Sequence, residues 1–303
     1  SMNTENIQTA QRVVKNSLWL LAAETLSKLL ALATQVIAAR YLGDKGFGIF
    51  SFAFSVTGVL LIFADSGINT FLIREIASRR ERLEPYLKNA LILKAGLTLG
   101  VALVLAVIPL VSSFDRETGQ VVWVIGLGLL ITGYADIYIS VFRAFEKMRL
   151  VSLFSIAQRA MFFVLGVSVL LMGHKTVPLA LAFLAAAGIN LALIRWRFAI
   201  CFNHAQTHAP AADKEIDSIS IKEIFFQSMP LGIIILFTYI YFRIDAVMLY
   251  YLRGAEETGW YSAAFKLIEA LLLLMDAIRN ALFPLLSKTY GKENSQFQQI
   301  WME

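Results

Sequence analysis

The chain has 303 residues, 58% of them hydrophobic and only 16% charged, with a mean hydropathy of +0.66. Soluble domains carry about a quarter charged residues and have no use for repeated apolar runs of about 20 residues, the length that crosses a bilayer ~30 Å thick at ~1.5 Å per residue. The formal charge of +5 is modest for a nucleic-acid binder, and a single cysteine, Cys201, excludes an intrachain disulfide.

Eight helical spans are expected, near residues 17–39, 46–69, 89–112, 120–142, 152–172, 177–198, 224–251 and 259–286. Residues 1–16 are polar and the first apolar run is of spanning length, so no cleavable leader is expected. In the first span Glu24, Ser27, Lys28, Thr34 and Gln35 share one face at helical spacing. Glu24 stands four residues before Lys28, the favourable order for an ion pair. In the second span Ser51, Ser55, Gly58, Asp65 and Asn69 share a face. Arg74 to Lys88 reads either as a basic amphipathic segment on the inner leaflet or as plain topology-setting charge.

Lys94, Arg159 and Arg279 fall within about two turns of a cytoplasmic helix end, from where long side chains can reach the headgroups. Gly126 and Gly128 suit close helix packing in the fourth span, where Asp136 and Arg143 stand seven apart. Phe202 to Ser220 is the one long polar interruption and reads as a cytoplasmic linker. Cys201, His204 and His208 have a ligand-like spacing, but only three donors are offered and Pro210 ends the stretch, so no metal is expected. Pro230 lies inside the seventh span and should kink it. Arg243 and Asp245, two apart, point to nearly opposite faces, so only one looks into a given cavity.

The eighth span repeats the second at an offset of 211 positions: Gly48 meets Gly259, Ser51 meets Ser262, Phe54 meets Phe265, Asp65 meets Asp276 and Asn69 meets Asn280. Upstream, with one residue inserted, Tyr41 meets Tyr251 and Gln35 meets Asp245. The second copy keeps the polar face and charges it, as Ser262, Lys266, Glu269, Asp276 and Asn280. Membrane transporters are commonly built from such repeated halves. The implied organisation is a six-helix lobe at 1–200, a cytoplasmic linker at 201–221, and the first two helices of an incomplete second lobe at 222–303. Sixteen lysines and arginines flank the spans on one side against five on the other, which places the N-terminus in the cytoplasm of an inner-membrane protein.

Ionisable groups at membrane depth usually face a cavity or a partner. Here the alternative is that Lys28 is neutralised by Glu24, and Lys266 by Glu269 or Asp276, as links between helices. No phosphate-binding glycine loop, nucleophile elbow or acid–base carboxylate pair is present, so neither an enzyme nor a cofactor site is expected.

Two stretches carry a family likeness. RYLGDKGFGIFSFAFSVTGVLLIFADSGINTFLIREIA, Arg40 to Ala77, and QSMPLGIIILFTYIYFRIDAVMLYYLRGAEETGWYSAAFKLIE, Gln227 to Glu269, resemble polysaccharide biosynthesis membrane proteins. These are the O-antigen, or lipid-linked oligosaccharide, flippases of the multidrug/oligosaccharidyl-lipid/polysaccharide exporter superfamily. The resemblance implies two lobes of six helices around a central cavity, and a polyprenyl-diphosphate-linked oligosaccharide moved between leaflets by alternating access. A diphosphate would need cations, and Lys28, Arg159, Arg243 and Lys266 are the candidates. Glu24, Asp65, Asp245, Glu269 and Asp276 would hold them or serve a coupling cation. Membrane lipids are the other partners; nucleic acid is not, and a naturally short chain would have to form a homo-oligomer. A cation-coupled drug extruder of the same superfamily, an enzyme of polysaccharide assembly and a structural membrane subunit are the alternatives.

Overall fold

A backbone in hydrocarbon must satisfy its own hydrogen bonds, so apolar runs of this length become helices. A computed structural model describes residues 2–111, 114–202, 220–269 and 271, and its elements are all helical. The chain is an all-helical membrane bundle. Six of the described helices are long and apolar enough to cross a membrane, one of them the 43-residue stretch Ala23–Asp65.

That long stretch belongs to α1 (Met2–Asp65), which contains the first two expected spans, joined directly at Gly43. Ser66 (φ 46) and Gly67 (φ 79) then turn the chain into α2 (Ile68–Ser78), which buries Ile68, Phe71, Leu72 and Ile76. The basic segment expected over Arg74–Lys88 is therefore not one element. It comprises the end of α2, a 3-10 turn at Arg80–Arg82, and the opening of α3 (Leu83–Val111). Tyr86, fully buried, explains the early start of α3: an apolar anchor there extends the helix below the predicted boundary.

The bundle continues with α4 (Arg116–Ala144), α5 (Met148–Leu171), α6 (Thr176–Phe202) and α7 (Ile221–Arg253), followed by α8 over 255–269. α7 runs as one helix through Pro230. It opens on a capping box: Ser220 Oγ accepts from the Lys222 backbone N–H, while Glu223 Oε2 accepts from the Ser220 N–H at 3.0 Å. Ser220→Ala is expected to fray this first turn at a cost of about 1 kcal/mol, read as faster amide exchange at residues 222–224. The linker residues 203–219, with His204 and His208, and the residues beyond 271, with Asp276 and Arg279, lie outside the described residues.

α4 is the central helix, in contact with α1, α2, α3, α5 and α6. Its glycines admit neighbours: a Cβ on Gly126 would stand 2.8 Å from Leu105 and one on Gly128 2.8 Å from Phe183. Two apolar clusters form the interior. One holds Phe47, Phe52, Val121, Ile125 and Leu179; the other holds Phe71, Tyr86, Val141, Phe142 and Phe202. Large apolar side chains such as Leu99 and Leu103 on α3, Val164 and Leu171 on α5, and Phe237 on α7 point outward, as lipid-facing residues do.

Residues 1–263 form one compact unit and 264–303 a second, which holds Lys266 and Glu269. Within the first unit the repeat is visible in the backbone. Gly43 (φ 67, ψ −175) and Gly254 (φ 91, ψ −174), 211 positions apart, hold the same conformation, one open essentially to glycine alone. Each marks the tip of a helical hairpin, the first made by the two arms of α1 and the second by α7 and α8.

Candidate functional site

Three helices carry a polar residue between their contributions to the two apolar clusters: Thr132 on α4, Gln158 on α5 and Asn190 on α6. Asp65 ends α1, which belongs to the first cluster, just before α2, which belongs to the second, and Lys94 reaches it from α3. The lobe thus holds a polar layer sandwiched between two greasy ones.

Its charged half is an ion pair. Lys94 is fully buried, and its Nζ donates to Asp65 Oδ1 at 2.5 Å. Asn69 Nδ2 donates to the same oxygen at 2.6 Å, closing the break between α1 and α2. Asp136 lies in the electrostatic field of Lys94, Asp65 and Arg143. Gly133 packs alongside the pair: a Cβ there would meet Lys94 Cε and Nζ at 3.7 Å, an ordinary contact, and Leu61 Cδ1 more tightly at 3.0 Å. The neutral half is a chain in which Asn190 Nδ2 donates to Gln158 Oε1 at 3.3 Å and Gln158 Nε2 to Thr132 Oγ1 at 3.1 Å.

The sequence reading of Lys94 as a headgroup-seeking lysine is corrected by this arrangement. With α3 starting at Leu83, Lys94 is eleven residues in, about 16 Å along the axis, and a carboxylate is within reach. The missed signal was depth: Asp65, Lys94 and Asp136 each lie four to six residues from the cytoplasmic end of their expected spans, which brings them to one level.

Lys28 and Arg159 occupy neighbouring helices. Lys28 Nζ pairs with Glu24 Oε1 at 3.0 Å on α1, and both remain partly exposed. The adjacent Ser27 is buried, its hydroxyl 3.3 Å from that of Ser155 on α5. Arg159, exposed, stands one turn beyond Ser155. The first-helix stripe is thus divided: Ser27 and Thr34 are packed inside, Thr34 bonded to the Leu30 carbonyl, while Glu24 and Lys28 sit at the edge.

On α7, Arg243 and Asp245 are both half-buried. Asp245 Oδ1 accepts from the Ala246 backbone N–H at 2.7 Å, and its other oxygen accepts from the Tyr261 hydroxyl of α8. In the second unit Lys266 Nζ pairs with Glu269 Oε2 at 2.5 Å. No group of three or more metal-ligating side chains is found among the described residues.

A fold of apolar helices about a buried ionic layer defines an integral membrane protein, and its relatives give the family. The polysaccharide biosynthesis protein family matches residues 13–290, so the chain belongs to that family. A Shigella flexneri protein provisionally named an O-antigen transporter is 38% identical over 69 residues, 23% of this chain and 16% of its own length. Two solved transporters share the fold. An outward-facing multidrug resistance MATE family transporter of the MOP superfamily superposes with a TM-score of 0.58 at 15% identity, covering 94% of this chain and 65% of its own. The MATE multidrug transporter DinF-BH gives 0.62 at 14% identity, covering 91% and 64%. The chain spans less than two thirds of the length of each of these relatives.

Proposed function

We propose that this chain belongs to a flippase that carries polyprenyl-diphosphate-linked oligosaccharide from the inner to the outer leaflet of the cytoplasmic membrane for cell-surface polysaccharide synthesis. The family match over residues 13–290 carries this reading. It works by alternating access between two lobes, residues 1–200 being the first and 222–303 the opening of the second, with the N-terminus cytoplasmic.

A diphosphate leaving water needs charge-assisted hydrogen bonds to replace its hydration. Lys28 and Arg159, on adjoining helices and both partly exposed, are the first-lobe cations placed to supply them. Arg243 is the candidate on α7, and Lys266 the candidate in the second unit. Glu24 and Glu269 hold Lys28 and Lys266 when no substrate is bound, and Asp245 and Asp276 are the remaining carboxylates available to a coupling cation.

Complementation of a strain lacking the gene, scored by surface polysaccharide, tests the role of Lys28. Lys28→Ala is expected to abolish display while membrane insertion stays intact, and Lys28→Arg to keep part of it. If Lys28 served only to neutralise Glu24, the double variant Glu24→Ala/Lys28→Ala would regain what each single change loses. That recovery would remove Lys28 from the binding site.

A further inference from the structure

A cavity of about 490 Å³ opens where α4 begins, beside the start of α6. Its size falls within the ~300–1,000 Å³ of small-molecule sites. Phe114, Asp115, Arg116, Gln120, Trp123 and Val177 line it. Arg116, Gln120 and Trp123 follow one another at i, i+4 and i+7, so they share one face of α4, and all three are exposed.

Depth orders these groups. The 29 residues of α4 extend about 43 Å, the thickness of a bilayer with its headgroups (~40–45 Å). Arg116 opens that span and so stands among the headgroups. Trp123, about 10 Å further along the axis, stands where acyl chains begin. Leu127, one turn on, and Leu181, one turn beyond Val177 on α6, continue inward as exposed apolar side chains.

The charged end is uncommitted. Asp115 holds the N-cap position of α4, yet its carboxylate makes no capping bond. Neither Asp115 nor Arg116 forms an ion pair among the described residues. The frame behind them is packed: Phe114 meets Phe52 edge-on at 5.6 Å and Tyr250 at 6.2 Å. Thr118 is buried, its hydroxyl 2.9 Å from that of Tyr250.

We propose that this cavity binds a membrane phospholipid whose headgroup carries a primary ammonium beside its phosphate. The Arg116 guanidinium and the Gln120 amide take the phosphate, and the Asp115 carboxylate takes the ammonium. Phe114, Trp123 and Val177 take the glycerol and the upper acyl chain. The site requires only that the chain spans a membrane, and it is separate from the cations assigned to the transported substrate. Charge complementarity selects this occupant. An anionic headgroup would set a negative charge against Asp115 with no ammonium to offset it. A trimethylated ammonium has no N–H to donate, so it forgoes the charge-assisted hydrogen bond. A sugar stacked on Trp123 would bring hydroxyls to a level where Leu127 and Leu181 offer them no partner, which is costly.

The test uses the whole gene product in detergent with phosphatidylethanolamine that carries a photoactivatable diazirine on its upper acyl chain. Illumination and peptide mass mapping are expected to place the label within residues 119–127. Unlabelled phosphatidylethanolamine should compete several-fold more effectively than phosphatidylcholine or phosphatidylglycerol. Asp115→Asn should abolish the preference over phosphatidylcholine, and Arg116→Gln should weaken labelling whichever lipid competes. Label placed elsewhere, or equal competition by the three lipids, would mean ordinary annular lipid and overturn the proposal. Stronger competition by phosphatidylglycerol would mark a simple anion site and overturn it too, as would a preference that survives Asp115→Asn. If either variant fails to fold, the label position and the competition in the unsubstituted protein decide.

Discussion

Lys94→Met is expected to destabilise the lobe by about 3–5 kcal/mol, the range for breaking a buried ion pair by removing one partner. The ammonium is fully buried and the Asp65 carboxylate only slightly exposed. Without Lys94, Asp65 keeps the Asn69 amide but loses its counter-charge, and Asp136 still adds a second carboxyl group nearby. Thermal unfolding of the detergent-solubilised protein should show a large fall in midpoint. Asp65→Asn/Lys94→Met removes both charges and should recover most of the loss, because a neutral pair of similar volume is often tolerated as well as the ions were. The Arg80–Glu146 pair, at 2.8 Å but exposed on both sides, gives the contrast. Arg80→Ala is expected to change stability by no more than about 1 kcal/mol. Equal effects at the two sites would mean that Lys94 is solvated.

Gly67→Ala is expected to destabilise the lobe on two separate counts. Its φ of 79 is left-handed, which costs an L residue about 1–2 kcal/mol. A Cβ there would also stand 2.4 Å from the Ser228 carbonyl oxygen and 2.6 Å from the Gly232 nitrogen, so the backbone of α7 must retreat. Overpacking of this kind adds about 1–3 kcal/mol. Gly173 separates the two contributions, since its φ is 80 but nothing lies within 4 Å of its Cβ position. Gly173→Ala should show the conformational cost alone. Equal losses in the two variants would mean that α7 does not press on the break between α1 and α2.

Much of this architecture is legible because hydrocarbon imposes length and composition on helices. The expected spans reappear, the first two merged at Gly43, the last described only to residue 271. Gly126 and Gly128, small residues in an apolar span, receive Leu105 and Phe183 as close packing requires. The Lys28–Glu24 pair follows from i,i+4 spacing and is present at 3.0 Å. Pairings between helices are not legible in the same way. Lys94 looks like an end-of-helix lysine because a single span says nothing of what a neighbour offers at the same level. Ser27 and Thr34 look like cavity residues because period alone cannot tell a face that meets α5 from one that meets water.

The one-residue insertion before the second hairpin tip has a geometric effect. From Gly43 and Gly254 onward the two copies run in step, but upstream the equivalences Tyr41–Tyr251 and Gln35–Asp245 are displaced by a residue, with Arg253 as the extra one inside α7. One residue turns a helix by about 100°. The leading helix of the second hairpin is therefore a copy of the first rotated about its own axis, while the trailing helices match. Equivalent side chains of the two leading helices therefore point in different directions, so the repeat is regular in its glycine turns and irregular in the surface that each copy presents.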